Sequence, residues 1–407
     1  MLRSLLVLTV VALVPSLAPA QARLDDAAKI DADLLRAVRE THIPGVVAMV
    51  ADANKVLYSG AFGAQDVERA VPMSTSSIFR IASMTKPVTS VAVMMLVEAG
   101  KLSLDDPAGK YLPEFQHSEV FETFNELDKT YTSRPVKTPV TIRHLLTHTS
   151  GLGYGFDSRI LARLLGGDPT ASATKYPLLF DPGTKWTYGE STRVLGRIVE
   201  KVSGEPLEKF FRERIFEPLG MQDTFYTVPA DKRGRVVTVH RSTQWGALVE
   251  VPNPDVITSP MNGDGGLSST ADDYVKFMQM VLNRGRAPNG KRLLSEKSIA
   301  LMGSNQIGPL HVPLQLTTDR TLSEPFPLST GHDTFGFGFE ITGDHKNPAM
   351  RLPGSMSWAG IYNTEFWIDP KRGICAVLLM QYLPFYDNAA IETLQKFEGD
   401  VYTGLSK

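Results

Sequence analysis

Residues 79–100 read FRIASMTKPVTSVAVMMLVEAG and predict a long apolar helix over 83–99. Gly100 closes this helix, because glycine readily adopts the backbone conformation in which helices end. Ser83 and Lys86 stand at the start of the helix, three residues apart, and such a pair shares one helix face. The segment therefore places an amine within reach of a serine hydroxyl.

Strand patterns lie near both ends of the chain. The runs VVAMVADA and KVLYSGAFG, split by Asn54, predict a β-hairpin before the helix. Strand patterns return in the tail as FGFGFEIT, NTEFWIDP and ICAVLLMQY, followed by a helix near 386–403. The fold class is thus α/β (α+β), with one sheet assembled from both termini and flanked by helices.

The middle of the chain is predicted to be mainly helical. RVLGRIVEKVSG is its clearest amphipathic helix, and residues 268–283 form another. We therefore divide the chain into a sheet lobe, 24–105 and 290–407, and an inserted helical lobe, 106–289.

Composition excludes several classes of protein. The 407 residues carry 42 basic and 44 acidic side chains, a net charge of −2, which leaves no broad basic face for nucleic acid. The single cysteine, Cys375, excludes an intramolecular disulfide framework, and the eight histidines lack metal-ligand spacing. No metal or cofactor is predicted. The absence of G-x-S-x-G argues against an α/β-hydrolase nucleophile.

The first twenty residues, MLRSLLVLTVVALVPSLAPA, are typical of a secretory signal peptide. Arg3 supplies the positive charge, Leu5 to Val14 the apolar run, and Ala18 and Ala20 a cleavage site before Gln21. No later apolar stretch is long enough for a stable membrane span. We therefore expect a periplasmic or secreted protein.

The S-x-x-K motif at Ser83 suits nucleophilic catalysis. A free serine hydroxyl is a poor nucleophile, and a lysine held neutral by an apolar pocket can deprotonate it. A second copy, from Ser172 to Lys175, is followed by Tyr176-Pro177 rather than by an apolar helix. We interpret the second copy as a chance match.

The context of the first copy resembles the serine β-lactamase and penicillin-binding-protein superfamily. The resemblance is carried by residues 79–115, TIRHLLTHTSGL, DPGTKWTYGESTRVLGRIVEKVSG, IFEPLGMQDTFY and GDGGLSSTADDYVKFM, in that order. It points most closely to the class C branch and the family VIII carboxylesterases. It implies a β-lactamase-like fold with an antiparallel sheet.

The resemblance also implies roles for individual residues. Ser83 matches the acylated serine, Lys86 its partner lysine, and Tyr188 the tyrosine of the family's Y-x-N motif. A tyrosine beside a lysine is expected to have a lowered pKa and to shuttle protons to the leaving group.

The third family motif, usually K-T-G, corresponds to Trp358-Ala359-Gly360, which resembles the W-G-G of family VIII esterases. The N–H groups of Ile361 and Ser83 would then form the oxyanion hole. Gly360 would let the strand approach the substrate closely. Without the resemblance, SMSWAGIYN is typical of an edge strand with a packing tryptophan.

Two departures from the family pattern bear on specificity. Glu190 replaces the asparagine of Y-x-N, and Trp358 replaces the K-T-G lysine. Both changes remove a polar contact for a β-lactam, although Glu190 could instead be a solvated loop carboxylate and Arg351 could supply the missing cation. His144 and His148 are interpreted as structural.

These features predict an exported serine hydrolase that cleaves small to medium acyl esters without a cofactor. A β-lactamase, D,D-peptidase or D-amino-acid peptidase is the alternative, and acyl transfer to a small alcohol or amine is a variant of the same chemistry. A catalytically silent cell-wall binding protein is the alternative from another class.

Overall fold

An eight-stranded antiparallel sheet forms the centre of the computed structural model, which describes residues 23–168, 171–243, 247–252, 261–327 and 331–406. The predicted signal peptide, 1–20, lies outside the described residues. Within them, no helix combines the length and apolar character needed to cross a membrane.

The described strands are β1 (Arg23–Leu24), β2 (Gly45–Asp52), β3 (Val56–Asp66), β4 (Val71–Pro72), β5 (Phe79–Arg80), β6 (Glu119–Phe124), β7 (Tyr131–Pro135), β8 (His240–Ser242), β9 (Leu248–Glu250), β10 (Ser268–Ser269), β11 (Thr334–Phe335), β12 (Glu340–Ile341), β13 (Met356–Gly360), β14 (Thr364–Asp369), β15 (Ile374–Leu379), β16 (Tyr382–Leu383) and β17 (Leu405–Ser406). The described α-helices are α1 (Ala27–Glu40), α2 (Thr85–Glu98), α3 (Ile142–Leu146), α4 (Arg159–Leu165), α5 (Ser191–Ser203), α6 (Leu207–Phe211), α7 (Glu217–Leu219), α8 (Ala271–Leu282), α9 (Glu296–Met302) and α10 (Asn388–Gly404).

The sheet has the order β11-β12-β13-β14-β15-β2-β3-β4. Strands β2 to β4 come from the N-terminal part of the chain and β11 to β15 from the C-terminal part, which confirms the predicted assembly from both termini. β15 joins the two halves by pairing with β2 along its whole length.

The sheet separates two hydrophobic cores. Alternate residues of β2 enter opposite cores, and the strand is therefore buried along its whole length. Val46, Ala48 and Val50 contribute to the smaller core, which is shared with α1 and α10. The larger core, on the other face, contains most of α2 and reaches into the middle lobe.

Helix α2 is the central element of the larger core. Its residues from Thr85 to Met94 are all buried, and it contacts α5 of the middle lobe. Gly100 has a φ of 66° and follows the last turn, as the sequence predicts. A short 3₁₀ turn, Ala82–Met84, precedes the helix and carries Ser83.

Three local features differ from the sequence interpretation. FGFGFEIT forms two short paired strands, β11 and β12, because Gly338 turns the chain with a φ of 87°. The middle lobe also contains the hairpin β6–β7. Helix α8 packs on the sheet, where the Gln279 amide donates to the Asp52 carbonyl at 2.9 Å, although the predicted lobe boundary assigns α8 to the helical lobe.

The C-terminal helix is expected to stabilise the sheet through Phe397. Its ring lies 5.5 Å from that of Trp367 and 6.5 Å from that of Tyr58, and the side chain is 1% exposed. Phe397→Ala should lower the free energy of unfolding by about 3–5 kcal/mol, because it leaves a cavity. Denaturant unfolding measures this loss, and exposed Gln395→Ala serves as the control. Equal stability of the two variants would contradict the packing role of α10.

Candidate active site

A cavity of about 550 Å³ opens beside the N-terminus of α2. Its wall includes Ser83, Tyr188 and the segment from Trp358 to Ile361, so residues distant in sequence meet there. Several aromatic side chains complete the wall, among them Tyr154, Phe156, Phe326 and Phe385. The cavity can therefore hold an apolar substrate group next to a serine hydroxyl.

The backbone around Ser83 is tightly constrained. Ala82 has a φ of 43°, in the left-handed region that residues with a Cβ seldom adopt. The Met84 N–H donates to the Ile81 carbonyl at 2.9 Å, and the Met84 carbonyl accepts the Tyr274 hydroxyl at 2.9 Å. These contacts fix the turn, and with it the position of the serine.

Lys86 lies against Ser83 in a buried position. Its Nζ is 3.0 Å from the Ser83 Oγ, donates to the Asp264 carbonyl at 2.8 Å, and sits 4.6 Å from the centre of the Tyr188 ring. The residue is 1% exposed. Burial lowers the pKa of Lys86 to about 7, although the Asp264 carboxylate favours its charged form. A large fraction of the amine is therefore neutral at neutral pH and available as a base.

Tyr188 lies within a buried aromatic cluster beside Lys86. Its ring is 5.1 Å from that of Trp358 and 5.2 Å from those of Tyr154 and His148. Burial raises the pKa of Tyr188, and hydrogen bonds with Ser83 and Trp358 only partly oppose that rise. The expected lowering of the pKa is thus wrong, because desolvation outweighs the nearby amine. Tyr188 remains a neutral phenol.

The W-A-G segment forms the end of β13 and passes close to the serine turn. A Cβ on Gly360 would lie 2.4 Å from the Ile81 carbonyl oxygen and 2.3 Å from the Thr364 hydroxyl, so only glycine fits. Ile361 follows directly and lines the cavity with Ser83. The oxyanion role of the two N–H groups stays a prediction, which this close approach supports.

Glu190 is placed away from the cavity wall, which corrects its assignment as a substrate-binding residue. It is 1% exposed and so is not a solvated carboxylate either. Its oxygens accept from the Ser172 hydroxyl at 2.7 Å, the Ala173 N–H at 3.1 Å and the Arg193 guanidinium at 3.1 Å. Burial raises the pKa of Glu190. Its carboxylate holds the segment around Ser172 against α5.

The second S-x-x-K copy has a structural arrangement. The Ser172 hydroxyl donates to Glu190, and the Lys175 Nζ lies 5.2 Å from the Tyr176 ring centre. Lys175 has no hydrogen bond to Ser172 among the contacts of the described residues. The geometry therefore favours Ser83 over Ser172 as the nucleophile.

The two motif histidines occupy packing positions. His144 accepts the Thr141 N–H in a capping box at the start of α3. His148 is 1% exposed, and burial, assisted by the charge of Lys86, holds its pKa well below the ordinary value. His148 is therefore neutral and packs against Trp186 and Tyr188.

A buried polar network behind Lys86 was not anticipated from the sequence. The Asp264 carboxylate accepts the Tyr154 hydroxyl at 2.6 Å and the Arg193 Nε at 3.2 Å, while its carbonyl accepts Lys86. Asp264 belongs to the GDGG stretch that carries part of the family resemblance, but that pattern gave it no role. The network links Lys86 to Glu190 through Arg193.

Arg351 does not provide a free cation for a substrate carboxylate. Its Nε and Nη2 donate to the two oxygens of Glu398 at 2.8 and 3.0 Å. Its guanidinium also stacks on the Trp367 ring, 4.9 Å from the ring centre. Arg351 therefore does not take the place of the cation that K-T-G provides in the family.

Comparison with known proteins agrees with the fold. The beta-lactamase family model matches residues 29–399. An uncharacterised protein of Mycobacterium tuberculosis is 36% identical over 84% of this chain and 86% of its own length. Esterase EstB of Burkholderia gladioli is 30% identical over 87% of this chain and 90% of its own. The solved structure of simvastatin synthase (LovD) from Aspergillus terreus is 26% identical, with a TM-score of 0.79 over 93% of this chain and 98% of that one.

The low pKa of Lys86 predicts the pH dependence of any reaction at Ser83. Only neutral Lys86 accepts a proton, so kcat/KM for an uncharged p-nitrophenyl ester should be constant well above pH 7. Below about pH 7, kcat/KM should decrease, and the decrease should approach tenfold for each pH unit. A profile measured from pH 5 to 9 checks this. A midpoint near 10 would show that Lys86 is not desolvated. Glu340 is a second group that titrates in this range, because its pKa is about 8. A midpoint that is unchanged in Glu340→Gln would therefore belong to Lys86.

Proposed function

Since the chain belongs to the beta-lactamase family, we propose that it is a serine hydrolase that cleaves small to medium acyl carboxylic esters through an acyl-enzyme on Ser83. The observation that carries the proposal is the position of buried Lys86, 3.0 Å from the Ser83 hydroxyl, at an aromatic cavity. The esterase activity named for the Burkholderia relative supports it. Closer assignment to the family VIII carboxylesterases is part of the proposal.

Acylation begins with proton transfer from the Ser83 hydroxyl to neutral Lys86. The serine oxygen forms a bond to the ester carbonyl carbon, and the carbonyl oxygen becomes an oxyanion held by the N–H groups of Ser83 and Ile361. When the intermediate collapses, the bond to the alcohol oxygen breaks. The proton on Lys86 passes to that oxygen through the neutral Tyr188 phenol, which accepts one proton as it donates another.

Deacylation repeats these steps with water. Lys86 is neutral again after the alcohol leaves, so it accepts a proton from water as the water oxygen attacks the acyl carbon. The second intermediate uses the same two N–H groups, and collapse returns the proton to Ser83. The products are the acid and the alcohol. An added alcohol that replaced water in this step would give acyl transfer.

The cavity wall favours esters over β-lactams. A β-lactam carries a carboxylate, but Trp358 replaces the family lysine and Arg351 is paired with Glu398. It also carries an amide, but Glu190 is bonded to Ser172, Ala173 and Arg193 and does not line the cavity. A short neutral ester needs neither contact, and Trp358 offers it an apolar surface.

Export to the periplasm or the medium is a further part of the proposal, and it rests on the signal-peptide pattern of residues 1–20. N-terminal sequencing of the protein recovered from the producing cells tests it. A mature chain that starts at Gln21 in the periplasmic or secreted fraction supports export, and a chain that retains residues 1–20 in the cytosolic fraction contradicts it.

The identity of the nucleophile is tested by substitution of both motif serines. Ser83→Ala should abolish ester hydrolysis and labelling by a fluorophosphonate probe, because the probe reacts only with an activated serine. Ser172→Ala should keep both activities and lose about 1 kcal/mol of stability, since it removes a buried hydrogen bond to Glu190. Labelling that survives in Ser83→Ala and disappears in Ser172→Ala would overturn the assignment. Unlabelled wild-type protein would favour a silent binding protein.

Substrate preference distinguishes the esterase from its enzymatic alternatives. We expect kcat/KM for p-nitrophenyl butyrate to exceed that for a chromogenic cephalosporin by at least about a hundredfold, because a lost charged contact costs about 2–5 kcal/mol. Steady-state assays at one pH compare the two substrates, and Ser83→Ala supplies the blank. Comparable values of kcat/KM for the two substrates would instead favour the β-lactamase and peptidase alternative.

A further inference from the structure

The cavity extends to a second group of polar residues on the other face of the sheet. Side chains of adjacent paired residues point to the same face, so Glu340 lies beside Ser357 and Glu365 beside Ala359. Trp358, between Ser357 and Ala359, points to the opposite face, into the core shared with Tyr188. The cavity therefore reaches both faces of β13, because all five of these side chains line it: Glu340, Ser357, Trp358, Ala359 and Glu365.

Two carboxyl groups in this part of the cavity have oxygens without partners. Glu365 is 9% exposed, and its Oε1 is fully buried with no hydrogen-bond partner within the described residues. The Oε1 of Glu340 is also buried and has no hydrogen-bond partner within the described residues. An unpaired buried oxygen of this kind costs free energy, so both positions favour a bound hydrogen-bond donor.

The neighbouring charges only partly compensate the burial of the two carboxyl groups. Arg351 faces both of them, but its guanidinium is held by Glu398. Burial raises the pKa of Glu340 to about 8, with a contribution from nearby Asp333, and it holds the pKa of Glu365 well above its ordinary value. Glu340 is therefore mainly protonated at neutral pH, and the pKa of Glu365 is shifted in the same direction.

We propose that Glu340 and Glu365 form a subsite for a primary ammonium group of the substrate. The protein would thus accept esters whose acyl or alcohol part carries a primary amine, a substrate class that rests on the proposed esterase function. An ammonium group has three N–H donors, so it can donate to one orphaned oxygen and keep two donors for other acceptors. Its charge also adds to the partial compensation that Arg351 provides. An anionic group would gain no compensating charge from the two carboxyl groups and would oppose their ionisation.

The position of the subsite suits a short linker. Glu365 pairs with Ala359, two residues before Ile361, and two residues of a strand span about 7 Å. A substrate with its carbonyl at Ser83 and Ile361 would therefore need a chain of several carbon atoms to place an amine between the carboxyl groups. A six-carbon chain is a reasonable probe.

Calorimetric titration tests the subsite without any need for turnover. The probes are hexylammonium, hexyltrimethylammonium and hexanoate, each titrated into the wild-type protein at pH 7. Hexylammonium should bind at least tenfold more tightly than the other two. Equal binding of hexyltrimethylammonium would overturn the proposal, because that cation has no N–H to donate and would be held by the aromatic wall alone. Tighter binding of hexanoate would overturn it as well.

Proton release provides a second readout. Bound ammonium favours the carboxylate form, so it lowers the pKa of the pair, and about one proton should leave the protein at pH 7. Titrations in two buffers with different ionisation enthalpies measure this number. Because the complex holds fewer protons than the free protein, affinity should increase as the pH rises from 6 to 8. Binding without proton release would contradict the site.

Matched substitutions complete the experiment. Glu365→Gln and Glu340→Gln should each weaken hexylammonium binding at least tenfold and reduce the proton release. Exposed Glu392→Gln on α10 should change neither quantity. Unchanged affinity in both pocket variants would overturn the proposal. Parallel assays with p-nitrophenyl butyrate keep the two proposals separate. Selective binding of hexylammonium without ester hydrolysis would support the subsite and reject the esterase function. Ester hydrolysis without selective binding would reject only the subsite.

Discussion

The chemistry at Ser83 requires a lysine amine that is buried beside the serine hydroxyl, and the core of the protein is arranged around that amine. Lys86 is useful as a base only when it is deprived of water, and water is excluded here by the central position of α2 between the sheet and the middle lobe. A helix with an apolar surface on nearly every side satisfies that requirement. The same residues thus provide both the main core of the protein and the chemistry at its edge.

The polar groups around Lys86 set the balance of its two forms. The Asp264 carboxylate favours the cation, whereas burial and the guanidinium of Arg193 favour the neutral amine. Arg193 in turn binds Asp264 and Glu190, so the positive and negative charges of this network largely compensate each other. This compensation explains how an acidic residue can lie close to Lys86 while the pKa of the amine stays near 7.

The cavity joins two environments on opposite faces of one strand. On one face, Tyr188 and Trp358 form an aromatic wall beside Ser83. On the other face, Glu340 and Glu365 each present an oxygen that has no hydrogen-bond partner in the described part of the chain. Strand β13 reaches both because its side chains alternate between the faces. Specificity could therefore be set on the far face without any change in the acylation machinery.

Local patterns in the sequence are enough to predict the helix with S-x-x-K, the strands near both ends of the chain and the family motifs, because these depend on residues close together along the chain. The folded structure was needed to establish the raised pKa of Tyr188, the internal role of Glu190, the place of α8 against the sheet and the pairing of Arg351 with Glu398. Each of these depends on which distant residues are buried together. Burial and long-range pairing control the desolvation of a charged group, and neither is encoded in a short stretch of sequence.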